Sequence, residues 1–276
     1  MIKIVFLCEN KTDNPLCTAE HGLSIYIETS SLKLLFDTGA TNMFSENAKS
    51  LNVDLSTVDA CVISHGHYDH TGGVPLFCEI NKKAKVYIHE SGFGEAYGQE
   101  NGKLDEKPCS ILWDNKVRQK LNDRIYLTSG VFKLSEDVII SGEIPEEYGF
   151  EPTEDFFEKQ PDGTLRRDPM KHEQILIVRE KDGLYIFSGC SHKGVMPAIR
   201  YIKALFPDEG IRLFAAGMHL YNSDKEACIK VVEELKKAGV GTVMPVHCTG
   251  IEAICDMKSA FGDACIVATA GGQYEF

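Results

Sequence analysis

The stretch that decides the fold is residues 64–73, Ser-His-Gly-His-Tyr-Asp-His-Thr-Gly-Gly, which directly follows the apolar run 60–63. Its glycines allow tight backbone turns beside the histidines. His65 and His67 alternate by two and can face one point, whereas the adjacent Asp69 and His70 can serve a second point nearby. Zinc prefers imidazole nitrogen and carboxylate oxygen as ligands, and pairs of catalytic metals lie about 3.5–4 Å apart. This stretch therefore predicts the start of two metal sites.

The motif resembles that of a known superfamily. Residues 64–73 are similar to the His-x-His-x-Asp-His signature of the metallo-β-lactamase superfamily, and residues 35–39, Leu-Phe-Asp-Thr-Gly, resemble its first motif. The resemblance implies an α/β fold, a four-layer α/β/β/α sandwich with the metals at the edge where two sheets meet. It implies two divalent metal ions, zinc or else iron or manganese. It also implies that Asp37 orients the histidine loop without binding metal, a support that metal-bound imidazoles commonly need.

Length and composition indicate one large domain over residues 1–276 with a sizeable core, since 43% of the residues are hydrophobic. The formal charge of −12 argues against a nucleic-acid partner, because phosphate backbones need a basic face. No window of the sequence approaches the apolar length of a membrane span, and the first apolar run is too short for a secretion signal. Ten scattered cysteines without a C-x-x-C pair fit reduced, mostly buried thiols. We expect a cytoplasmic protein without a membrane partner, and its oligomeric state stays open.

Strand and helix patterns alternate through both halves of the chain. The predicted strands are 2–7, 22–28, 33–37, 59–64, 85–89, 172–178, 183–190, 212–215, 240–246 and 264–268, and the predicted helices are 41–51, 194–206 and two that follow capping boxes at Ser223 and Thr249. Residues 92–171 differ, because Gly, Pro and acidic runs interrupt them and only 130–142 is strand-like. A long irregular segment of this kind is typical of a lid, a binding element or disorder. We expect a lid-like insertion at about 92–171.

The second half supplies further candidate ligands. His172 precedes one predicted strand and Cys190 ends the next, where the superfamily places its third histidine and then a bridging aspartate. The chain departs from that pattern, because Cys190 replaces the aspartate and His192 follows directly, so that the imidazole, the thiolate or both could bind metal. His247 ends the strand 240–246 and resembles the last motif, whose histidine completes the second metal. The candidate metal ligands are His65, His67, Asp69, His70, His172, His192, His247 and Cys190.

Other residues are candidates for catalysis and substrate binding. Asp69 is the only carboxylate of the first motif and could accept a proton as well as bind metal. His219 is predicted to contact substrate or transfer a proton, with metal ligation as an alternative. Lys193 and the pair Arg166 and Arg167 could contact phosphate, although solvated surface charges explain them equally well.

Four local strings, 20–24, 188–194, 216–220 and 247–250, resemble one branch of the superfamily, the 7,8-dihydropterin-6-methyl-4-(β-D-ribofuranosyl)aminobenzene-5′-phosphate synthases. The resemblance implies that the amine of a ribofuranosylaminobenzene phosphate attacks the exocyclic carbon of a dihydropterin diphosphate and releases pyrophosphate. Metal-dependent hydrolysis of a phosphodiester, thioester or lactone is the alternative, and a non-catalytic metal-binding sensor is a second one. The expected function is therefore that of a dinuclear-metal enzyme for a small phosphorylated substrate, and the sequence does not separate transferase from hydrolase.

Overall fold

Two large β-sheets form the centre of the molecule in a computed structural model that describes residues 1–100 and 102–276. In chain order, the strands of the described residues are β1 Lys3–Cys8, β2 Ser24–Glu28, β3 Lys33–Phe36, β4 Ala60–Val62, β5 Lys85–His89, β6 Ala96–Tyr97, β7 Gln99–Glu100, β8 Lys103–Leu104, β9 Ile125–Thr128, β10 Phe132–Lys133, β11 Val138–Ile140, β12 Phe157–Lys159, β13 Leu165–Arg167, β14 Leu176–Glu180, β15 Gly183–Ser188, β16 Ile211–Gly217, β17 Thr242–Val246 and β18 Gln273–Glu275. The α-helices there are α1 Met43–Ser50, α2 Tyr68–Thr71, α3 Val74–Ile80, α4 Asn115–Leu121, α5 Val195–Leu205, α6 Lys225–Lys237 and α7 Ile251–Phe261.

Both central sheets change from antiparallel to parallel pairing part of the way across. The first sheet has the order β18-β1-β2-β3-β4-β5-β9, and its pairings from β3 to β9 are parallel. The second has the order β10-β11-β14-β15-β16-β17, and its pairings from β15 to β17 are parallel. The carboxyl ends of parallel strands meet at one edge of a sheet, where α/β proteins commonly place their sites. The strands β4, β15 and β17 therefore bring the loops that follow them to the same region.

The layers follow from the burial of both faces of each sheet. Phe36 of the first sheet and Phe187 of the second lie between the sheets, with ring centroids 6.3 Å apart. The outer face of the first sheet packs against α1 and α3 through Phe44 and Phe77. The outer face of the second sheet packs against α5, α6 and α7. Each fully buried side chain of this size contributes about 1.5–3 kcal/mol relative to exposure. The expected four-layer α/β/β/α sandwich is confirmed.

The segment 92–171, which we expected to form a lid-like insertion, is divided between the core and a small additional sheet. The strand β9 completes the first central sheet, and β10 and β11 complete one edge of the second. The strands β13, β12 and β6 form the small sheet, and Phe156 directly before β12 contacts the histidine loops. The part that can cover the metal candidates is therefore smaller than the whole segment.

Several local expectations need correction. Asp224 caps α6 in place of Ser223, because its carboxylate is the group that accepts the backbone N–H of the first turn. Thr249 does not cap α7, since its hydroxyl bonds to backbone carbonyls that precede the helix. The strand expected at 264–268 is reduced to one bridge, and the last strand of the described residues is β18. No helix within the described parts of the chain is long and apolar enough to cross a membrane.

Candidate metal centre

Three imidazoles from both halves of the chain form a first cluster. His65 follows β4 and His192 follows β15, and their Nε2 atoms lie 3.2 Å apart. The ring of His67 has its centroid 4.5 Å from that of His65 and 4.8 Å from that of His192. All three side chains are buried, and the Nε2 atom of His67 has no hydrogen-bond partner among the described residues. The nitrogens of His65 and His192 therefore face each other, and the ring of His67 packs directly beside them.

The protonation of the first cluster suits metal binding. Burial, aided by the neighbouring imidazoles, holds the pKa of His65 and of His192 well below the usual range. Burial also lowers the pKa of His67 to about 3. Neutral imidazole offers a free nitrogen lone pair, whereas protonated imidazole offers none. The three residues are therefore neutral near pH 7, the form in which histidine binds a metal.

Asp69, His70 and His247 form a second cluster. Oδ2 of Asp69 lies 3.1 Å from Nε2 of His247 and 3.7 Å from Nε2 of His70. The contact with His247 lacks hydrogen-bond alignment, so its buried Nε2 atom has no hydrogen-bond partner among the described residues. Burial raises the pKa of Asp69, but the adjacent imidazoles outweigh burial and hold that pKa well below its usual range. The second cluster therefore offers an ionised carboxylate and two imidazoles.

Cys190 lies between the clusters. Its Sγ atom is 3.2 Å from Nε2 of His70. It groups with His65 and His192 on one side, and with His70 and His247 on the other, each set of ligand atoms lying within 4.8 Å. Burial raises the pKa of this thiol well above its usual value. The thiol thus occupies a position from which one sulfur atom could contact metals in both clusters.

Asp37 orients the second cluster from behind. Its Oδ2 atom lies 2.7 Å from Nδ1 of His70, and its Oδ1 atom accepts the backbone N–H of Ser64 at 2.7 Å. Burial lowers the pKa of His70, but the carboxylates of Asp37 and Asp69 outweigh it and raise that pKa to about 9. With the Nδ1 proton held by Asp37, the Nε2 atom of His70 faces the cluster. Asp37 adopts a left-handed backbone conformation, φ +58°, at this turn.

Two residues at the end of β1 hold His247, and sequence reasoning missed both. Asn10 places its Oδ1 atom 2.8 Å from Nδ1 of His247, and Glu9 accepts the backbone N–H of His247 at 2.6 Å. The side chain of Glu9 is fully buried. The available signal was a pair of polar residues directly after an apolar strand.

Glu173 supports the first cluster in the same manner, and sequence reasoning missed this as well. Its buried carboxylate accepts the backbone N–H of His192 at 2.6 Å and that of Lys193 at 2.8 Å. Burial raises the pKa of Glu173. These bonds fix the turn that carries His192 to His65.

His21 was also missed, although its sequence neighbourhood carried part of the resemblance. Its Nε2 atom lies 3.2 Å from Oδ2 of Asp69, and 60% of its side chain is exposed. It groups with Asp69 and His247 as a third possible set of ligands. The second cluster therefore has an exposed histidine directly beside it.

The structure places His172, a predicted ligand, beside the clusters. Its Nδ1 atom accepts the backbone N–H of Gly66 at 3.1 Å, and its Nε2 atom lies 3.3 Å from Asp168. Both ring nitrogens therefore have protein partners. Gly66 is needed here, because a Cβ atom would lie 2.1 Å from the carbonyl oxygen of Gly92. His192, in contrast, is the histidine of this half whose ring nitrogen lies against that of His65.

The three predicted substrate-binding residues, Lys193, Arg166 and Arg167, make their described contacts outside the two clusters. Lys193 is buried, and its ammonium lies 3.3 Å from Glu143 and donates to a backbone carbonyl, which directs it away from the clusters. Arg167 on β13 of the small sheet pairs with Asp155 at 2.7 Å, and Arg166 is exposed on the same strand.

His219, in contrast, lies at the opening above the clusters. Its ring centroid is 4.6 Å from that of His192, and Nδ1 lies 3.1 Å from a carboxylate oxygen of Glu154. Burial lowers the pKa of His219, but nearby Cys248 and Glu154 outweigh it, so the net pKa is raised. The opening has a volume of about 130 Å³ and is also bordered by Phe156 and Tyr221.

Comparison with known proteins agrees with this fold. Residues 17–123 match the family model of the metallo-β-lactamase superfamily. A Methanocaldococcus jannaschii protein named 7,8-dihydropterin-6-methyl-4-(β-D-ribofuranosyl)-aminobenzene-5′-phosphate synthase is 29% identical over 91% of this chain and 89% of its own length. An uncharacterised protein of the same organism is 30% identical over 87% of this chain and 88% of its own length. The solved structure of Tm1679, described as a metal-dependent hydrolase of the β-lactamase superfamily, has a TM-score of 0.85 and 29% identity, covering 100% of this chain and 99% of the other.

The chain belongs to the metallo-β-lactamase superfamily. Within it, the chain is similar over most of its length to a protein named as a synthase and to one described as a hydrolase. Divalent metal binding is the property that this membership implies, and the His, Asp and Cys clusters provide a place for it.

Proposed function

We propose that this chain is a dinuclear-metal enzyme that acts on a phosphorylated small molecule. His65, His67 and His192 would hold one metal. Asp69, His70 and His247 would hold the other, and Cys190 lies between the clusters.

One observation carries the proposal: the buried Nε2 atom of His67 has no hydrogen-bond partner among the described residues, and Nε2 of His247 has the carboxylate of Asp69 beside it at 3.1 Å. A buried polar atom left unpaired costs about 1–3 kcal/mol, and a bound metal removes that cost by accepting the lone pair. The chemistry of the ligands supports zinc, because imidazole, carboxylate and thiolate are the groups that zinc binds in proteins. Iron or manganese are the alternatives for a set of imidazole and carboxylate groups.

The metals, when bound, supply Lewis-acid neutralisation of a leaving phosphate or diphosphate. The chain's own residues would position the reaction. Asp37 and Asn10 orient the imidazoles of His70 and His247 through their Nδ1 atoms. Glu154 lies beside Nδ1 of His219, which leaves Nε2 of His219 as the atom that can contact a substrate or carry a proton. Phe156 limits the access of water to the first cluster.

In the proposed reaction the amine of a ribofuranosylaminobenzene phosphate attacks the exocyclic carbon of a dihydropterin diphosphate. A C–N bond forms, the C–O bond to the diphosphate breaks, pyrophosphate leaves and the amine loses a proton. The similarity to the synthase-named relative supports it. Hydrolysis of a phosphodiester, thioester or lactone is the second candidate, supported by the similarity to Tm1679 and by the position of Asp69 and His219 at one opening. A metal-binding sensor without turnover remains the non-catalytic alternative.

An assay with paired substrates tests the proposal. We expect metal-loaded protein to release pyrophosphate from the dihydropterin diphosphate only when the aminobenzene partner is present. Release without the partner, or turnover of an aryl phosphodiester, thioester or lactone alone, would favour the hydrolase. Absence of turnover with both metals bound would favour the sensor. The matched control for variants of Asp69 is Asp54→Asn. Asp54 is also a carboxylate, but it is exposed and lies at the start of the turn Leu55–Thr57.

A further inference from the structure

A second cavity adjoins the opening above the metal centre. It has a volume of about 400 Å³, whereas the opening itself has about 130 Å³. Small-molecule sites commonly have about 300–1,000 Å³, so the opening alone has room for little more than a phosphate group. The two spaces share His21, Tyr221, His247 and Cys248 as a common wall. His21 and Tyr221 are exposed between the two spaces, so a ligand with a phosphate at the metals can pass over these two side chains into the second cavity.

The wall between the two spaces is tightly built. Gly250 has φ +83°, and a Cβ atom there would lie 2.6 Å from the Cα atom of Tyr221. Tyr221 can therefore lie directly against the start of α7 while its hydroxyl donates to Glu154 at 3.1 Å. Its ring also lies 5.1 Å from that of His219. The second cavity thus begins next to the residues that border the metal opening.

The chemistry of the second cavity favours an apolar ring. Ile251 and Ile254, which lie on one face of α7, line it, and Ile251 is 72% exposed. The polar side chains in the wall already have partners: Asn10 accepts the backbone N–H of Gly22 at 3.1 Å, and the Lys11 ammonium lies 2.6 Å from Glu9. A heterocycle with many hydrogen-bonding groups would lose its bonds to water here without replacing them.

We propose that the second cavity binds the aromatic ring of a phosphorylated ligand whose phosphate lies at the metal centre. This inference rests on the proposed function and deepens it, because it assigns a place to one part of the substrate. The ring would stack beside Tyr221 and pack on the two isoleucines of α7.

Calorimetry with phenyl phosphate and methyl phosphate, which carry the same charge, tests the inference on metal-loaded protein. We expect phenyl phosphate to bind about tenfold more tightly, because its ring leaves water. Ile251→Gln should reduce this ratio about threefold or more and leave methyl phosphate binding unchanged. Ile229→Gln is the matched control, since Ile229 is also exposed but lies on α6. We expect it to leave both affinities unchanged.

Methyl NMR of isoleucine-labelled protein gives an independent readout. The signals of Ile251 and Ile254 should shift with phenyl phosphate and stay in place with methyl phosphate. Equal affinity of the two phosphates, or an unchanged ratio in Ile251→Gln, would overturn the second cavity as the ring site while leaving the proposed function intact. If neither phosphate binds metal-loaded protein, both proposals are overturned.

Discussion

The two clusters of the candidate metal centre differ in charge, although they share one edge of the sandwich. The first cluster holds neutral imidazoles, because burial lowers the pKa of His65, His67 and His192. The second holds charge, because Asp69 is ionised and the carboxylates near His70 raise its pKa to about 9. Residues of both clusters line the same opening, where the first lies beside Phe156 and the second beside the exposed His21. We infer that the first cluster is ready for a metal, whereas a metal at the second must displace protons.

The largest effect is expected for Asp69→Asn, which tests whether the second cluster is needed for turnover. Asp69→Asn keeps the shape of the side chain but removes its charge, so we expect near-normal thermal stability and a retained metal at the first cluster. The second metal should be lost, and turnover should fall about 10²-fold or more, the scale of lost charge stabilisation in a transition state. Elemental analysis and steady-state kinetics measure the two results, with Asp54→Asn as the control. Unchanged turnover with full metal content would remove the second cluster from catalysis.

A pair of histidine variants tests which histidines bind the metal of the first cluster. His192→Ala should lose the metal there, since it removes one of three converging imidazoles. His172→Ala should retain that metal but lower the free energy of unfolding by about 1–3 kcal/mol, because the buried N–H of Gly66 loses its acceptor. Metal content and chemical denaturation of the two variants provide the comparison. Equal metal loss in both would return His172 to the ligand set.

The free energy of unfolding of the metal-free protein, measured against pH, should reveal the different charges of the two clusters. The depressed pKa values of the first cluster mean that the unfolded chain binds more protons as pH falls below about 6.5, so stability decreases on the acid side. The raised pKa of His70 gives stability that is present below about pH 6.5 and lost as pH rises through about 9. This alkaline loss should reach about 3 kcal/mol at most. Denaturant unfolding from pH 5 to 10 measures both limbs.

Two variants assign the limbs of that profile. His67→Gln should reduce the acid limb, to which His65 and His192 also contribute. His70→Gln should reduce the alkaline limb, to which the raised pKa values of His21 and His219 also contribute. A profile that keeps both limbs in both variants would contradict the charge difference between the clusters.

Removal of a supporting residue should weaken the second cluster alone. Asn10→Ser takes away the oxygen that accepts from Nδ1 of His247, so we expect about 10-fold weaker metal binding there. Competition with a chelator measures this affinity, and Asn122→Ser at the end of α4 is the control. Equal weakening at the first cluster would indicate a general loss of structure.

The smallest effect is expected at Arg166, which is exposed on β13. Arg166→Gln should change KM for any phosphorylated substrate by no more than about twofold, because exposed charges are screened by solvent. Substrate titration tests this, and a KM increase of about tenfold would return Arg166 to the substrate-binding residues.

The sequence by itself determined the first half of the centre. The positions of His65, His67, Asp69 and His70 follow from a short loop at the end of a buried strand, where spacing alone decides which side chains face together. The order of strands and helices, with the superfamily resemblance, likewise predicted the four-layer sandwich. These features depend on local backbone geometry and on the period of hydrophobic residues, both of which are visible along a chain.

Only the tertiary structure decided which distant residues complete the centre. The tertiary structure places His192 against His65 and pairs the ring of His172 with the backbone N–H of Gly66. It also pairs the buried ammonium of Lys193 with Glu143. It also brought Asn10, 237 positions away, to His247. The physical reason is that such contacts depend on which strand ends lie side by side and on which buried polar groups need partners. Neither condition is expressed in the spacing of residues along the chain.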